Sequence, residues 1–234
     1  MKINIQRASE ITSFSIDIEN ATLLEVLTYI KTKIDSSLAF SSGCRSGVCG
    51  SCAMRVNGKE VLACAYKVQE DDLIEPLRNA PIVRDLVVDM QKSYAFNKVA
   101  KAWQTTLNEE KIQTLHVSPQ QAQINELQSD CILCGSCYSA CPVYSVNSEF
   151  LGPFALTRAW RYVSDARQND VEKTIGAVQE KGIYDCTLCG ECIPVCPQNI
   201  APKQDIVMLK NKSGVLGYMD PNFASSFGGF DLSF

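Results

Sequence analysis

The 234-residue chain has one histidine, His116. That scarcity argues against a zinc, haem or Rieske site built on several imidazoles, and His116 itself reads as a loop or surface residue. Positive charge is also short. The 22 Lys and Arg against 26 Asp and Glu leave a net charge of −4, without the basic stripe that a nucleic-acid partner requires. No apolar run approaches the ~18 residues of a membrane span. The start, Met1 to Arg7, lacks the apolar core of a signal peptide. The expectation is a chain that is soluble or meets a membrane only through partners. A G-x-G-x-x-G fingerprint and a P-loop are both missing, and no motif sets an acid beside a base. No catalytic residue is assigned.

What the chain does have is cysteine, twelve in all. They fall into three groups of four with none left over: Cys44, Cys49, Cys52 and Cys64; Cys131, Cys134, Cys137 and Cys141; Cys186, Cys189, Cys192 and Cys196. Without an export signal, such a set points to metal or redox chemistry rather than disulfides. Apolar residues make up 46% and charged ones 21% of the chain, enough to build a core around the cysteines.

The expected fold class is α+β. In residues 1–100, Ile11 to Ile18 alternates as a half-buried strand does. Thr22 can cap a helix carrying Leu23, Val26, Leu27, Ile30 and Ile34 on one face. Asn57-Gly58 joins two short strands as a hairpin. Strand pair, helix, cysteine loop and hairpin suit a β-grasp ferredoxin domain. Residues 101–234 read as an all-helical domain around two cysteine loops, with Pro153 and Pro202 each opening a helix. The stretch from Ser213 to Phe234 reads as an irregular docking tail, its aromatics Phe223, Phe227, Phe230 and Phe234 marking a lasting contact. Trp103 and Trp160 read as core residues.

The first group, C-R-S-G-V-C-G-S-C followed by Cys64, has the C-x4-C-x2-C…C spacing of a plant-type [2Fe–2S] site. Thiolate is the soft, anionic ligand that such iron needs, and Gly43, Gly47 and Gly50 let backbone approach the sulfurs. A structural zinc knuckle would instead come as paired C-x2-C hooks. Arg45 beside this group either tunes the site or is a solvated loop charge. The other two groups, C-I-L-C-G-S-C-Y-S-A-C-P and C-T-L-C-G-E-C-I-P-V-C-P, both fit C-x2-C-x2-C-x3-C-P. In that arrangement the fourth cysteine of each run serves the other cluster. Cys131, Cys134, Cys137 and Cys196 are therefore assigned to one [4Fe–4S] cluster. Cys141, Cys186, Cys189 and Cys192 are assigned to a second, which would be [3Fe–4S] if Cys189 were not a ligand.

Three stretches carry a resemblance: residues 42–64 around the first group, P-I-V-R-D-L-V-V-D-M at 81–90, and residues 131–153, which continue from the second group through N-S-E-F-L-G-P. Together they resemble the iron–sulfur subunit of succinate dehydrogenase and fumarate reductase. The resemblance implies a wire in respiration or the tricarboxylic acid cycle. On one side would stand an FAD subunit that interconverts succinate and fumarate, on the other a membrane-side, quinone-linked subunit. It also implies a peripheral place on the cytoplasmic membrane through those partners, on the cytoplasmic face, or on the periplasmic face if the chain is exported with a partner. Three positions depart from the usual family pattern. Cys189 completes a run that is usually broken, and Val146 and Thr187 stand where the succinate-oxidising branch has its quinone-site Trp and His. These point to the branch with two complete runs and a cysteine-rich partner resembling heterodisulfide reductase. The alternatives are an electron-input subunit of another flavoprotein, glycolate- or thiol-linked, and a free multi-cluster ferredoxin.

Overall fold

The structure, a computed structural model, describes residues 1–7, 10–104 and 117–221. His116 and the tail aromatics Phe223, Phe227, Phe230 and Phe234 lie outside the described residues.

The N-terminal half is built on a five-stranded sheet of order β2-β1-β5-β3-β4. Its strands are β1 Lys2–Arg7, β2 Glu10–Ser15, β3 Ala53–Val56, β4 Lys59–Leu62 and β5 Leu73–Glu75. Strands β1 and β5 run parallel and the other pairs antiparallel. Val56 pairs with Lys59, which leaves Asn57 at φ 49° and Gly58 at φ 80° in the turn. Both sit in the left-handed region that a two-residue hairpin needs, which explains Asn-Gly there. The Asn57 side chain also accepts from Leu73 N–H at 2.8 Å and donates to Asp72 at 2.7 Å, tying the hairpin to β5.

Helix α1, Leu23–Tyr29, starts at a capping box in which Thr22 and Glu25 satisfy each other's backbone N–H. It buries Leu23, Leu24, Val26 and Leu27 in the same core as Ile3, Ile5, Met54 and Ile74. Ile30 continues that face, but Ile34 does not and is 49% exposed. The last turn, Ile30–Ile34, widens: Asp35 N–H reaches back five residues to Ile30 at 2.8 Å, so the 3.6-residue period no longer applies. In β2 the inward residue is Phe14, with Ile16 just beyond the strand end. Ile11 has the opposite parity and lies 61% exposed.

Among the described residues no strand follows the small ribbon of β6, Ile82–Arg84, and β7, Val87–Val88. Eight α-helices do: α2 Gln91–Val99, α3 Pro119–Gln123, α4 Glu126–Ser129, α5 Ser136–Ser139, α6 Pro142–Val146, α7 Pro153–Val163, α8 Val171–Ala177 and α9 Pro202–Val215. Pro153 and Pro202 stand in the first turns of α7 and α9, where a missing N–H costs nothing. Phe154, Leu156, Ala159 and Val163 of α7, Ile206 and Leu209 of α9, and Phe96 of α2 form a second buried cluster.

Two expectations need correction. Ser213 opens no irregular tail, since it is fully buried near the end of α9, against Gln179 and Tyr184. Trp103 is 42% exposed rather than core, whereas Trp160 packs half-buried on the second cluster.

The halves are fastened by polar contacts. Buried Arg55 pairs with Glu75 at 3.1 Å and Glu60 at 3.7 Å. Glu60 accepts from Ser139 Oγ at 2.7 Å, and Ser139 Oγ accepts from Arg78 N–H at 2.9 Å. Asn79 Nδ2 lies 2.9–3.2 Å from the carbonyls of Tyr138, Ser139 and Cys141. One amide from the N-terminal half thus caps the short helix between two cysteines of the second run.

Asp205 on α9 is a buried carboxyl with only neutral partners, Thr157 Oγ1 at 2.8 Å and Gln128 Nε2 at 2.7 Å. Burial raises its pKa from 3.8 to about 6, against those two hydrogen bonds. The folded state therefore holds the proton more tightly than the unfolded one. The Asp205 contribution is full below pH 4 and is lost as pH rises through 6, by roughly 2–3 kcal/mol. Asp205→Asn should be as stable as the parent at pH 4–5 and more stable at pH 7, because an amide can accept from Gln128 and donate to Thr157. Thermal unfolding midpoints of both proteins from pH 4 to 8 check this; parallel profiles would refute it.

Candidate metal centres

The first group sits on the loop between α1 and β3, with Cys64 just beyond β4. Arg45, Gly47 and Gly50 all take positive φ, at 62°, 78° and 72°. Such a path turns successive N–H groups inward. Cys44 N–H points at Cys49 Sγ at 3.3 Å and Ser46 N–H at Cys44 Sγ at 3.4 Å. The Ser46 hydroxyl first, then the N–H groups of Ser46 and Val48, bring the Cys44 thiol down to about 6. Cys52 is buried, and loss of solvent pushes it up to about 11. A Cβ at Gly43 would come within 2.9 Å of Cys49 Sγ, which accounts for that glycine. Arg45 is exposed and lines a surface hollow with Cys64.

The second and third groups share one backbone design. Leu133 and Leu188, the residues before the second cysteine of each run, sit at φ 53° and 58°; Gly135 and Gly190 follow at φ 85° and 92°. A left-handed leucine is a costly local choice. Here it turns N–H groups toward sulfur: Leu188 N–H lies 3.4 Å from Cys186 Sγ, and Leu133 N–H hydrogen-bonds Cys131. The signal for these two residues was present as the repeated C-x-L-C-G, but spacing alone gave leucine no role.

The structure brings the cysteines together in crossed sets. One cavity is lined by Cys131, Cys134, Cys137 and Cys196, closed by Phe154, Ile200 and Pro202. Another is lined by Cys141, Cys186, Cys189 and Cys192, beside Phe150 and Ile206. The chain crosses between them at Cys141, whose Sγ accepts from Tyr144 N–H at 3.4 Å as α6 begins. Burial dominates the thiol chemistry. It raises Cys131 to about 11 and Cys192 to about 12, and moves Cys134, Cys137, Cys141 and Cys186 upward as well. Buried thiols with like-charged neighbours stay neutral alone, so only a strongly positive group would draw the thiolates out. Among the described residues no three Cys, His, Asp or Glu converge on a single-ion position.

Comparison with known proteins matches the two halves in turn. The family described as a 2Fe-2S iron-sulfur cluster binding domain matches residues 2–95, and the one described as a 4Fe-4S dicluster domain matches 127–200. The fumarate reductase iron-sulfur subunit of Haemophilus influenzae is 37% identical over 219 residues, 86% of each chain. The 8-methylmenaquinol:fumarate reductase iron-sulfur subunit of Wolinella succinogenes is 34% identical over 90% of this chain and 70% of its own. One chain of the fumarate reductase (CoM/CoB) of Methanothermobacter marburgensis is 35% identical over 81% of this chain but only 37% of its own length. A chain in the Mycobacterium smegmatis Sdh1 complex shares the fold, with a TM-score of 0.81 over 94% of this chain and 98% of that one, at 22% identity.

An N-terminal 2Fe-2S domain followed by a 4Fe-4S dicluster domain defines an electron-transfer protein of the iron–sulfur class. Within that class the chain belongs to the family of iron–sulfur subunits of fumarate reductase and succinate dehydrogenase.

Cys44→Ser should lower the potential of a [2Fe–2S] centre held by the first group, or remove its signal, and leave the others. Serine is a harder ligand than thiolate, and no residue lining either buried cavity comes from the first group. Electron paramagnetic resonance of the reduced protein reads this; joint loss of every signal would refute it.

Proposed function

We propose that the twelve cysteines hold three clusters. One [2Fe–2S] sits on Cys44, Cys49, Cys52 and Cys64, one [4Fe–4S] on Cys131, Cys134, Cys137 and Cys196, and a second [4Fe–4S] on Cys141, Cys186, Cys189 and Cys192. The observation that supports this best is the crossed lining of the two buried cavities. Four sulfurs around a void, with N–H groups aimed at them, suit a polynuclear group better than one ion. When bound, such groups take up and give up single electrons. The chain's own part is to hold them apart from water and in a fixed order. The sheet half is read as a β-grasp domain of residues 1–100, and residues 101–234 as the helical domain. Helix α2, packed through Phe96 on the second hydrophobic core, forms the joint.

The partners in this reading are a flavoprotein subunit carrying FAD and a membrane-side subunit. Among the described residues no helix is long and apolar enough to cross a membrane. In this reading the chain is held at the membrane by those partners, on the cytoplasmic face. A complete third set with Cys189 favours the cysteine-rich kind of membrane-side partner. The name of the Methanothermobacter relative, which joins fumarate reductase to CoM/CoB, supports that choice.

The test is reconstitution. The pure chain with its clusters should neither oxidise succinate nor reduce fumarate with artificial dyes. Adding the flavoprotein subunit should restore turnover and let succinate reduce the chain's clusters. Turnover by the chain alone, or clusters that stay oxidised in the mixture, would overturn the reading.

A further inference from the structure

The loop of the first group touches the wall of the second cavity at two places. Gly50, between Cys49 and Cys52, is packed so tightly that a Cβ there would lie 2.8 Å from Cys134 Cβ, 2.9 Å from Cys134 Cα and 2.9 Å from the Ile132 carbonyl oxygen. None of these atoms is the free end of a flexible side chain. Gly47 supplies the other contact, its carbonyl accepting from Gln198 Nε2 at 3.2 Å. Ile132, Cys134 and Gln198 all line the cavity of Cys131, Cys134, Cys137 and Cys196. The two contacts grip that cavity from opposite ends of its sequence, one through the second run and one just past Cys196.

We infer that Gly50 and Gln198 are positioning residues that set the gap between the first and second cysteine sets. Resting on the cluster assignment above, the role is to keep backbone against backbone. An electron given up by a group on the first set would then be taken up by one on the second across a short path, with no bond or proton changed. Tunnelling falls steeply with distance. A side chain at Gly50 would have to push the loops apart, and loss of the Gln198 amide would let them drift.

Gly217 supplies an internal control. It also has positive φ, 84°, but a Cβ there meets nothing within 4 Å, and it touches neither cysteine set. Gly217→Ala and Gly50→Ala therefore share the backbone strain and differ in spacing. The readout is the microwave power that half-saturates the [2Fe–2S] resonance in fully reduced protein, because the neighbouring paramagnet speeds its relaxation in proportion to closeness.

In Gly50→Ala that power should fall severalfold, with the [2Fe–2S] g-values and the iron content unchanged. Gly217→Ala should match the parent. Gln198→Leu should shift the same way as Gly50→Ala, less far, and it decides the matter if Gly50→Ala does not assemble. An unchanged half-saturation power in a fully loaded Gly50→Ala protein, or in Gln198→Leu where Gly50→Ala does not assemble, would overturn the proposal. So would an equal fall in Gly217→Ala. Missing clusters in the parent protein would instead count against the assignment itself.

Discussion

Cys189→Ser is expected to convert the third centre from four-iron to three-iron. Cys189 lines its cavity with Cys141, Cys186 and Cys192 and is the exposed member of that set. The iron it would hold is the corner nearest solvent. Serine oxygen is a harder, more basic donor than thiolate, so that iron should be the one lost. Iron content should fall from about ten per chain to about nine, the sums for one two-iron and two four-iron clusters before and after the loss. Oxidised protein prepared without oxygen should gain a near-stoichiometric [3Fe–4S] resonance, where the parent is silent. The first centre should not change. If neither iron content nor spectrum moves, Cys189 is a free thiol, and the case for a cysteine-rich membrane-side partner loses its main support.

The parts of this molecule legible in the sequence are those fixed by close spacing. A C-x2-C-x2-C-x3-C-P run has to fold back on itself whatever surrounds it. Asn57-Gly58 demands a two-residue turn on its own chemistry, and Thr22 with Glu25 makes a local cap. What failed depended on distant contacts or on phase. Ile11 and Ile34 are apolar, but strand parity turns one outward and a widened turn swings the other away. Ser213 lies in a stretch rich in Gly and Ser, yet it is buried because Gln179 and Tyr184 give its hydroxyl partners. The residues that join the halves left no periodic trace. Asn79 acts on carbonyls about 60 positions away, and Gln198 on Gly47 at 151. Gly50 could be read as loop freedom from its place in C-G-S-C, but not as the point where two cysteine loops meet.

Gly152→Ala is expected to be among the most damaging single-methyl changes in the chain. In N-S-E-F-L-G-P the glycine is a family mark from sequence alone; the geometry supplies its reason. Gly152 has φ 80° and ψ 171°, a region open essentially to glycine only. A Cβ there would fall 2.1 Å from Cε1 and 2.3 Å from Cζ of the Tyr138 ring. Tyr138 cannot step aside. It is 1% exposed, its hydroxyl donates to the Leu151 carbonyl, and its ring packs on Tyr144 at 4.8 Å and Phe154 at 4.4 Å between centroids. Backbone strain of ~1–3 kcal/mol adds to overpacking of ~1–3 kcal/mol. That sum is a large part of the ~5–15 kcal/mol that keeps a domain folded. Tyr138 follows Cys137 on α5 and leads to Cys141, so a displaced ring disturbs cysteines that line both buried cavities. The variant should lose most iron beyond the first centre while keeping a [2Fe–2S] spectrum, because the clash falls on Tyr138 in the second cluster and not on the sheet core. Adding Tyr138→Leu should relieve the clash but not the backbone strain, and so recover iron only in part. Full iron content and a parental unfolding midpoint in Gly152→Ala would show that the Tyr138 ring yields and that the packing account is wrong.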